Sequence, residues 1–195
     1  MGIQTMFRIT LITGGARSGK SSFALSLGLQ NYSKRVFIAT AVPIDGEMQE
    51  RISRHREERG HQFRTIEEPI ELPHVLTVLP GGTDVVVVDC LTVWLGNLYH
   101  HFQGEEKKVR VKVEALLDQL DHPLCDLILV TNEVGWGIVP ENDLARSFRD
   151  IAGYLNRLVA QKAASAHLLC CGIPLTLKGE PLRGQTEFCH SSCGQ

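Results

Sequence analysis

Five short apolar runs alternate with helix-compatible segments, a glycine-rich loop follows the first run, and an aspartate closes the third. Together these observations predict an α/β protein, a mostly parallel central sheet flanked by helices in three layers, with its ligand crevice at the carboxyl ends of the strands. FRITLI (7–12) is the first run and reads as a strand buried on both faces. It leads into Gly14-Gly15-Ala16-Arg17-Ser18-Gly19-Lys20-Ser21, which has the spacing of a Walker A loop. In such a loop glycines let backbone N–H groups curl around phosphate oxygens at a helix N-terminus. Lys20 is then placed to reach the β- and γ-phosphates and Ser21 to ligate Mg²⁺. A chance Lys-Ser after a Gly-rich turn is the alternative. A strand before and a helix after favour the loop.

Ser21 to Gln30 is predicted as the first helix and VFIAT (36–40) as the second strand. A further helix, from about Gly46 to Arg59, is specified by Asp45 as N-cap, Glu47 in the first turn and Gly60 at the C-terminus. VVVVDC (85–90) is the third strand, and Asp89 stands at its end, where a Walker B acid holds Mg²⁺ directly or through water. Leu91 to Gly104 is helix-compatible, and core packing explains its apolar side more simply than an oligomer contact does. Glu105 to Leu120 follows as a helix and LILVT (127–131) as the fourth strand. From Asp143 to Ala164, Leu144, Phe148, Ile151, Leu155 and Leu158 recur at the spacing of one apolar stripe. HLLCC (167–171) is the last predicted strand. Thr176 to Gln195 is polar and without periodicity, so the chain divides into one domain over 1–178 and a mobile tail over 179–195.

At 195 residues and 43% hydrophobic, the chain suits one well-buried domain. A net charge of −2 with interspersed signs leaves no basic stripe for nucleic acid or an anionic membrane. There is no run of 18 apolar residues, and Arg8 interrupts the N-terminus where a secretory signal needs an apolar core, so a cytoplasmic protein without membrane insertion is expected. Of six cysteines, Cys90, Cys125, Cys170 and Cys171 lie in or beside apolar runs and read as buried free thiols. Cys189, His190 and Cys193 lack a second ligand pair at zinc spacing.

Two further clusters carry possible chemistry. On the helix before Gly60, Arg51, His55 and Arg59 fall at i, i+4, i+8, which lines an imidazole up between two guanidiniums, with Arg56 offset. Such a run is either a solvated helix face or a nucleophilic histidine in a triphosphate site, where neighbouring cations favour the neutral imidazole and stabilise charge on a phosphate under attack. Glu67 and Glu68 either accept from a nucleoside or sit on a surface loop. In TNEVGWGIVPENDLARSFRD, Asn132 and Glu133 fall at the ligand-binding ends of the strands. Gly135 and Gly137 around Trp136 suggest a shaped loop followed by Arg146 and Arg149; the opposite reading buries Trp136 and leaves Arg149 and Asp150 as surface charges.

Taken jointly, GGARSGKS, FIATA with DGEMQERISRHREER, VVVDCLTVWLGNL and TNEVGWGIVPENDLARSFRDIAGYLNR resemble, in order and over residues 8 to 175, the bifunctional adenosylcobinamide kinase / adenosylcobinamide-phosphate guanylyltransferase family of cobalamin biosynthesis. The resemblance implies the P-loop NTPase-type form of the α/β fold, and that a nucleoside triphosphate, ATP or GTP, phosphorylates adenosylcobinamide. GMP from GTP then joins that phosphate with release of pyrophosphate, through a covalent histidine intermediate whose matching position is His55. His61, His100 and His101 do not match. The nucleotide contacts implied are Gly14, Gly15, Ala16, Arg17, Ser18, Gly19, Lys20 and Ser21, then Ala39, Thr40, Ala41, Arg56, Glu57, Glu58, Arg59, Glu67 and Asp89. Mg²⁺ is implied on Ser21 and Asp89, with small-molecule substrates, no nucleic-acid partner, and a homo-oligomer, a trimer being one form. A P-loop switch is the alternative class, against which stands the lack of an NKxD guanine motif. A module that has lost catalysis is another, against which stand Lys20, Ser21, His55 and Asp89.

Overall fold

The computed structural model describes residues 7–42 and 60–180. In chain order these form β1 (Ile9–Gly14), α1 (Lys20–Asn31), β2 (Arg35–Ala39), β3 (Arg64–Glu67), the short α2 (Leu72–Val75), β4 (Val85–Asp89), α3 (Leu91–His101), α4 (Glu106–Gln119), β5 (Asp126–Val130), α5 (Asp143–Lys162), β6 (Ser165–Cys170) and β7 (Ile173–Lys178). The predicted helix over 46–59 lies outside the described residues, as does the chain beyond Glu180.

The strands make one seven-stranded sheet in the order β3-β2-β4-β5-β1-β6-β7. Every neighbouring pair is parallel except β6 with β7. The strand period of two explains the layers. Val86 and Val88 of β4 join Leu127 and Leu129 of β5 in a core with α2 to α5, while Val85 and Val87 join Ile128, Val130 and residues of α1 on the opposite face. A four-valine run is therefore buried on both sides, as a central parallel strand requires.

Leu91–His101 packs as core helix α3, with Trp94, Leu95 and Leu98 fully buried. The indole N–H of Trp94 donates to the Ile70 carbonyl at 2.9 Å, so the deepest polar atom of the ring keeps a partner. In α5 the predicted stripe holds at Ile151 and Leu155, but Leu144, in the first turn, is 51% exposed.

Two strands depart from the expectation. β3 is only four residues long, charged at both ends and at the sheet edge, a form that leaves no apolar run to detect. β7 includes Thr176 to Lys178, which sequence assigned to a structureless stretch. Cys171 and Gly172, both at positive φ, reverse the chain so that β7 returns antiparallel along β6. Its last residue is tied down, since Lys178 Nζ donates to the Ala160 and Gln161 carbonyls at 3.0 and 2.9 Å, near the C-terminus of α5. The same turn corrects the cysteine reading: Cys90 and Cys125 are buried free thiols, whereas Cys170 and Cys171 are free but exposed. Among the described residues no helix is long and apolar enough to cross a membrane.

Candidate active site

Because β1 to β6 run parallel, their carboxyl ends share one rim. The pairing Glu67 with Ala39, Ala39 with Asp89, Asp89 with Val130 and Val130 with Ile12 places these residues in a single row across five strands. At a strand spacing of about 4.8 Å, Asp89 lies two strands, about 10 Å, from β1 on one side and from β3 on the other.

The loop between β1 and α1 is shaped by backbone that only particular residues adopt. Gly14 has φ +145°, and a Cβ there would lie 2.4 Å from the Leu169 carbonyl oxygen. Gly19 has φ +92° in the left-handed region and opens α1 with no side-chain cap and no acid in the first turn. The N-terminus of α1 thus has neither a cap from Gly19 nor an acid of its own first turn to compete with an anion. Between the glycines, Arg17 has φ +56°, a strained conformation for a residue with a side chain. Gly15, Ala16 and Arg17 form the exposed crest of the loop. Lys20 is 7% exposed. Its ammonium donates to the Gly15 carbonyl at 2.5 Å and the Ser18 hydroxyl at 3.3 Å, so the charge lies within the curl of the loop.

Asp89 shares the parity of Val85 and Val87, which puts it on the α1 face of the sheet, where Ser21 stands in the first turn of α1. Neither the Asp89 carboxylate nor the Ser21 hydroxyl has a hydrogen-bond partner among the described residues. A hard cation that takes few protein oxygens and fills its octahedron with water and phosphate suits this pair. No cluster of three or more His, Cys, Asp or Glu suited to a metal occurs among the described residues, so the donor set does not resemble a closed all-protein cage.

Thr40, expected as a nucleotide contact, directly follows β2 beside Asp89. Its side chain is fully buried, and its hydroxyl donates to the Cys90 carbonyl at 2.9 Å while accepting the Cys90 N–H at 2.8 Å. It therefore buckles the end of β2 to the end of β4 beside Asp89, with Asn97 donating to its carbonyl at 2.7 Å. Burial, and then the Asp89 charge, push the Cys90 thiol up to about 12. It stays protonated, and its sulfur caps α3 by accepting the Val93 N–H at 3.4 Å. Ala39 and Ala41 are half-buried on the rim, and Glu67 is exposed at the end of β3. Glu68 is spent locally, one oxygen accepting the N–H groups of Ile70 and Glu71 at 2.9 and 2.7 Å.

Beyond β5 the structure joins residues that sequence left apart. Thr92 and Thr131 share a hydroxyl hydrogen bond at 3.0 Å, Thr131 donates to Asn156 Oδ1 at 2.7 Å, and Thr13 donates to Glu133 Oε1 at 2.7 Å. Asn156, Thr13 and Thr92 were not singled out in sequence. Asn156 had one available signal, an amide within the apolar stripe of α5 between Leu155 and Val159. Trp136, Ile138 and Val139 are 72%, 97% and 61% exposed, so the glycine-flanked segment is a surface loop and not core. Arg146 secures that loop by donating to the Pro140 carbonyl at 2.9 Å and the Glu141 carbonyl at 2.5 Å, while Arg149 pairs with Asp150. His55 and its neighbours Arg51, Arg56, Glu57, Glu58 and Arg59 lie outside the described residues.

Residues 10–177 match the family model described as cobinamide kinase / cobinamide phosphate guanyltransferase. The chain belongs to this family. It is 41% identical over 172 residues to the bifunctional adenosylcobalamin biosynthesis protein CobP of Pseudomonas aeruginosa, covering 88% of this chain and 98% of the relative. To CobU of Escherichia coli, of the same description, it is 36% identical over 179 residues, covering 86% and 98%. In fold it is similar to the solved structure of PH0250 from Pyrococcus horikoshii OT3, with TM-score 0.50 and 10% identity over 89% of this chain and 87% of that one.

Proposed function

We propose that this protein carries out both reactions of its family on an adenosylated corrinoid: γ-phosphoryl transfer to the hydroxyl of adenosylcobinamide, then transfer of GMP from GTP to the new phosphate, through a guanylylated His55. The observation that carries the reading is the intact phosphate loop, with Lys20 buried at the start of α1, in a chain whose residues 10–177 match the cobinamide kinase / cobinamide phosphate guanyltransferase family model. The Lys20 ammonium offsets charge on the β- and γ-phosphates, and the loop N–H groups fix their position. Ser21 and Asp89 would hold Mg²⁺, which when bound supplies charge neutralisation at the phosphates. The row Glu67–Ala39–Asp89 gives the nucleoside a wall at the β3 side of the rim.

The histidine step rests on sequence: the match of RISRHREER to the family and the two guanidiniums in register with His55. A neutral imidazole attacks the α-phosphorus of GTP, pyrophosphate leaves, and the corrinoid phosphate then displaces histidine. A homo-oligomer and a cytoplasmic location belong to the same reading. For the former, Ile173, Leu175 and Leu177 on the edge strand β7 are 64%, 50% and 62% exposed, an apolar row suited to burial by another chain. Incubation with adenosylcobinamide, Mg²⁺ and GTP, followed by mass analysis of the corrinoid, tests the function. Products heavier by one phosphate and then by one GMP are expected; an unaltered corrinoid refutes it.

A further inference from the structure

Glu133 is held to the phosphate loop by backbone and side chain at once. Its N–H donates to the Gly14 carbonyl at 3.1 Å, while the Lys20 ammonium binds the next carbonyl, that of Gly15, at 2.5 Å. The cation that meets the terminal phosphates and this carboxylate are thus anchored one residue apart on the same loop. Oε1 of Glu133 accepts from Thr13 Oγ1 at 2.7 Å and from Asn156 Nδ2 at 3.3 Å. Oε2 has no partner among the described residues.

The framework behind Oε1 is buried and paired throughout. Asn156 is 8% exposed, accepts from Thr131 at 2.7 Å and donates to the Asn132 carbonyl at 3.2 Å. Thr92 accepts the Asn132 N–H at 2.8 Å. One carboxylate oxygen is therefore fixed by neutral donors, and a glutamine carbonyl would satisfy those donors equally well. The negative charge has no local partner among them. A carboxylate beside the terminal phosphates also opposes ground-state binding of a polyanion, so its use lies in the reaction.

We propose that Glu133 is the general base of the phosphoryl-transfer step, an inference that rests on the kinase activity proposed above. As the acceptor oxygen bonds to the γ-phosphorus, its proton passes to Oε2 of Glu133. The bond from the γ-phosphorus to the β,γ-bridging oxygen breaks, and its electron pair leaves with the nucleoside diphosphate, beside Lys20. The proton returns to solvent when the products depart. Transfer of GMP needs no such base, because the attacking corrinoid phosphate already carries an ionised oxygen.

The test is Glu133→Gln in the full chain, assayed separately for phosphorylation of adenosylcobinamide and for GMP transfer to supplied adenosylcobinamide-phosphate. The phosphorylation kcat should fall by about 100-fold or more. The nucleotide KM should not rise, GMP transfer should stay within about threefold, and a fall of rate at acid pH should be present in the wild type and absent from the Gln variant. Glu133→Asp keeps the charge, so it should retain the acid limb with a smaller loss. Should Glu133→Gln fail to fold, an Asp variant without an acid limb overturns the proposal. So does a Gln variant with phosphorylation within about threefold of wild type, or one that loses nucleotide binding and both activities together. A wild type that phosphorylates nothing refutes the proposed kinase instead.

Discussion

Replacing Thr40 by valine separates the two roles open to that residue. Valine keeps the β-branched shape and removes the hydroxyl that links β2 to β4. The Cys90 carbonyl still accepts the Trp94 N–H at 3.0 Å, so the group left stranded is the Cys90 N–H, in a residue only 7% exposed. A stranded buried donor costs about 1–3 kcal/mol, and loss of the second hydrogen bond adds about 0.5–1.5 kcal/mol. A total of about 1.5–4.5 kcal/mol lowers the melting temperature of a domain this size by about 3–18 °C. Loosening the end of β4 also frees Asp89, so the Mg²⁺ requirement should rise. Thr40→Ser keeps the hydroxyl and should melt near the wild type. Thermal melts with nucleotide KM measurements decide the matter. A Thr40→Val protein that melts within about 1 °C of wild type while its nucleotide KM climbs would refute the structural role and restore Thr40 as a direct contact.

Three further outcomes are expected. Lys20→Ala should depress phosphorylation and GMP transfer alike, by about 100-fold or more, in initial-rate assays of each step, because both need the triphosphate charge offset in the loop. Asp89→Asn should raise the Mg²⁺ concentration for half-maximal rate by about tenfold or more while leaving the melting temperature close to wild type. A chain ending after Glu180 should keep both activities and its melting temperature, whereas one ending before Ile173 should melt earlier, since it loses the β6–β7 pairing and the Lys178 tie to α5.

What was legible in sequence follows from burial. β1, β2, β4, β5 and β6 are covered on both faces or nearly so and appear as apolar runs, and the phosphate loop is legible because its glycines and Lys20 must sit at fixed spacing. β3 and β7 are edge strands whose exposed positions show no such run, so pairing partners alone define them. Cys170 and Cys171 read as core because the run HLLCC gives no sign of where the chain turns; the positive φ at Cys171 and Gly172 marks it only in three dimensions. The framework around Glu133 joins Thr13, Thr92, Thr131 and Asn156 from four separate elements or their ends, and polar pairs that distant in sequence leave no periodic signal. The resemblance implies Thr40 only as a nucleotide contact; that its buried hydroxyl bonds Cys90 is a contact that strand pairing creates and sequence does not show.

Guanylylation of His55 is the most direct test of the proposed chemistry. The protein is mixed with Mg²⁺ and GTP labelled at the α-phosphate, without corrinoid, and the chain is isolated and mapped. Label should remain on His55 with release of pyrophosphate, be lost in acid and persist in base as a phosphorus–nitrogen bond does, and move to the corrinoid when adenosylcobinamide-phosphate is added. His55→Ala should take no label and transfer no GMP while still phosphorylating adenosylcobinamide. An unlabelled wild-type chain that nonetheless makes adenosylcobinamide-GDP, or a His55→Ala chain labelled at the wild-type rate, would contradict the account.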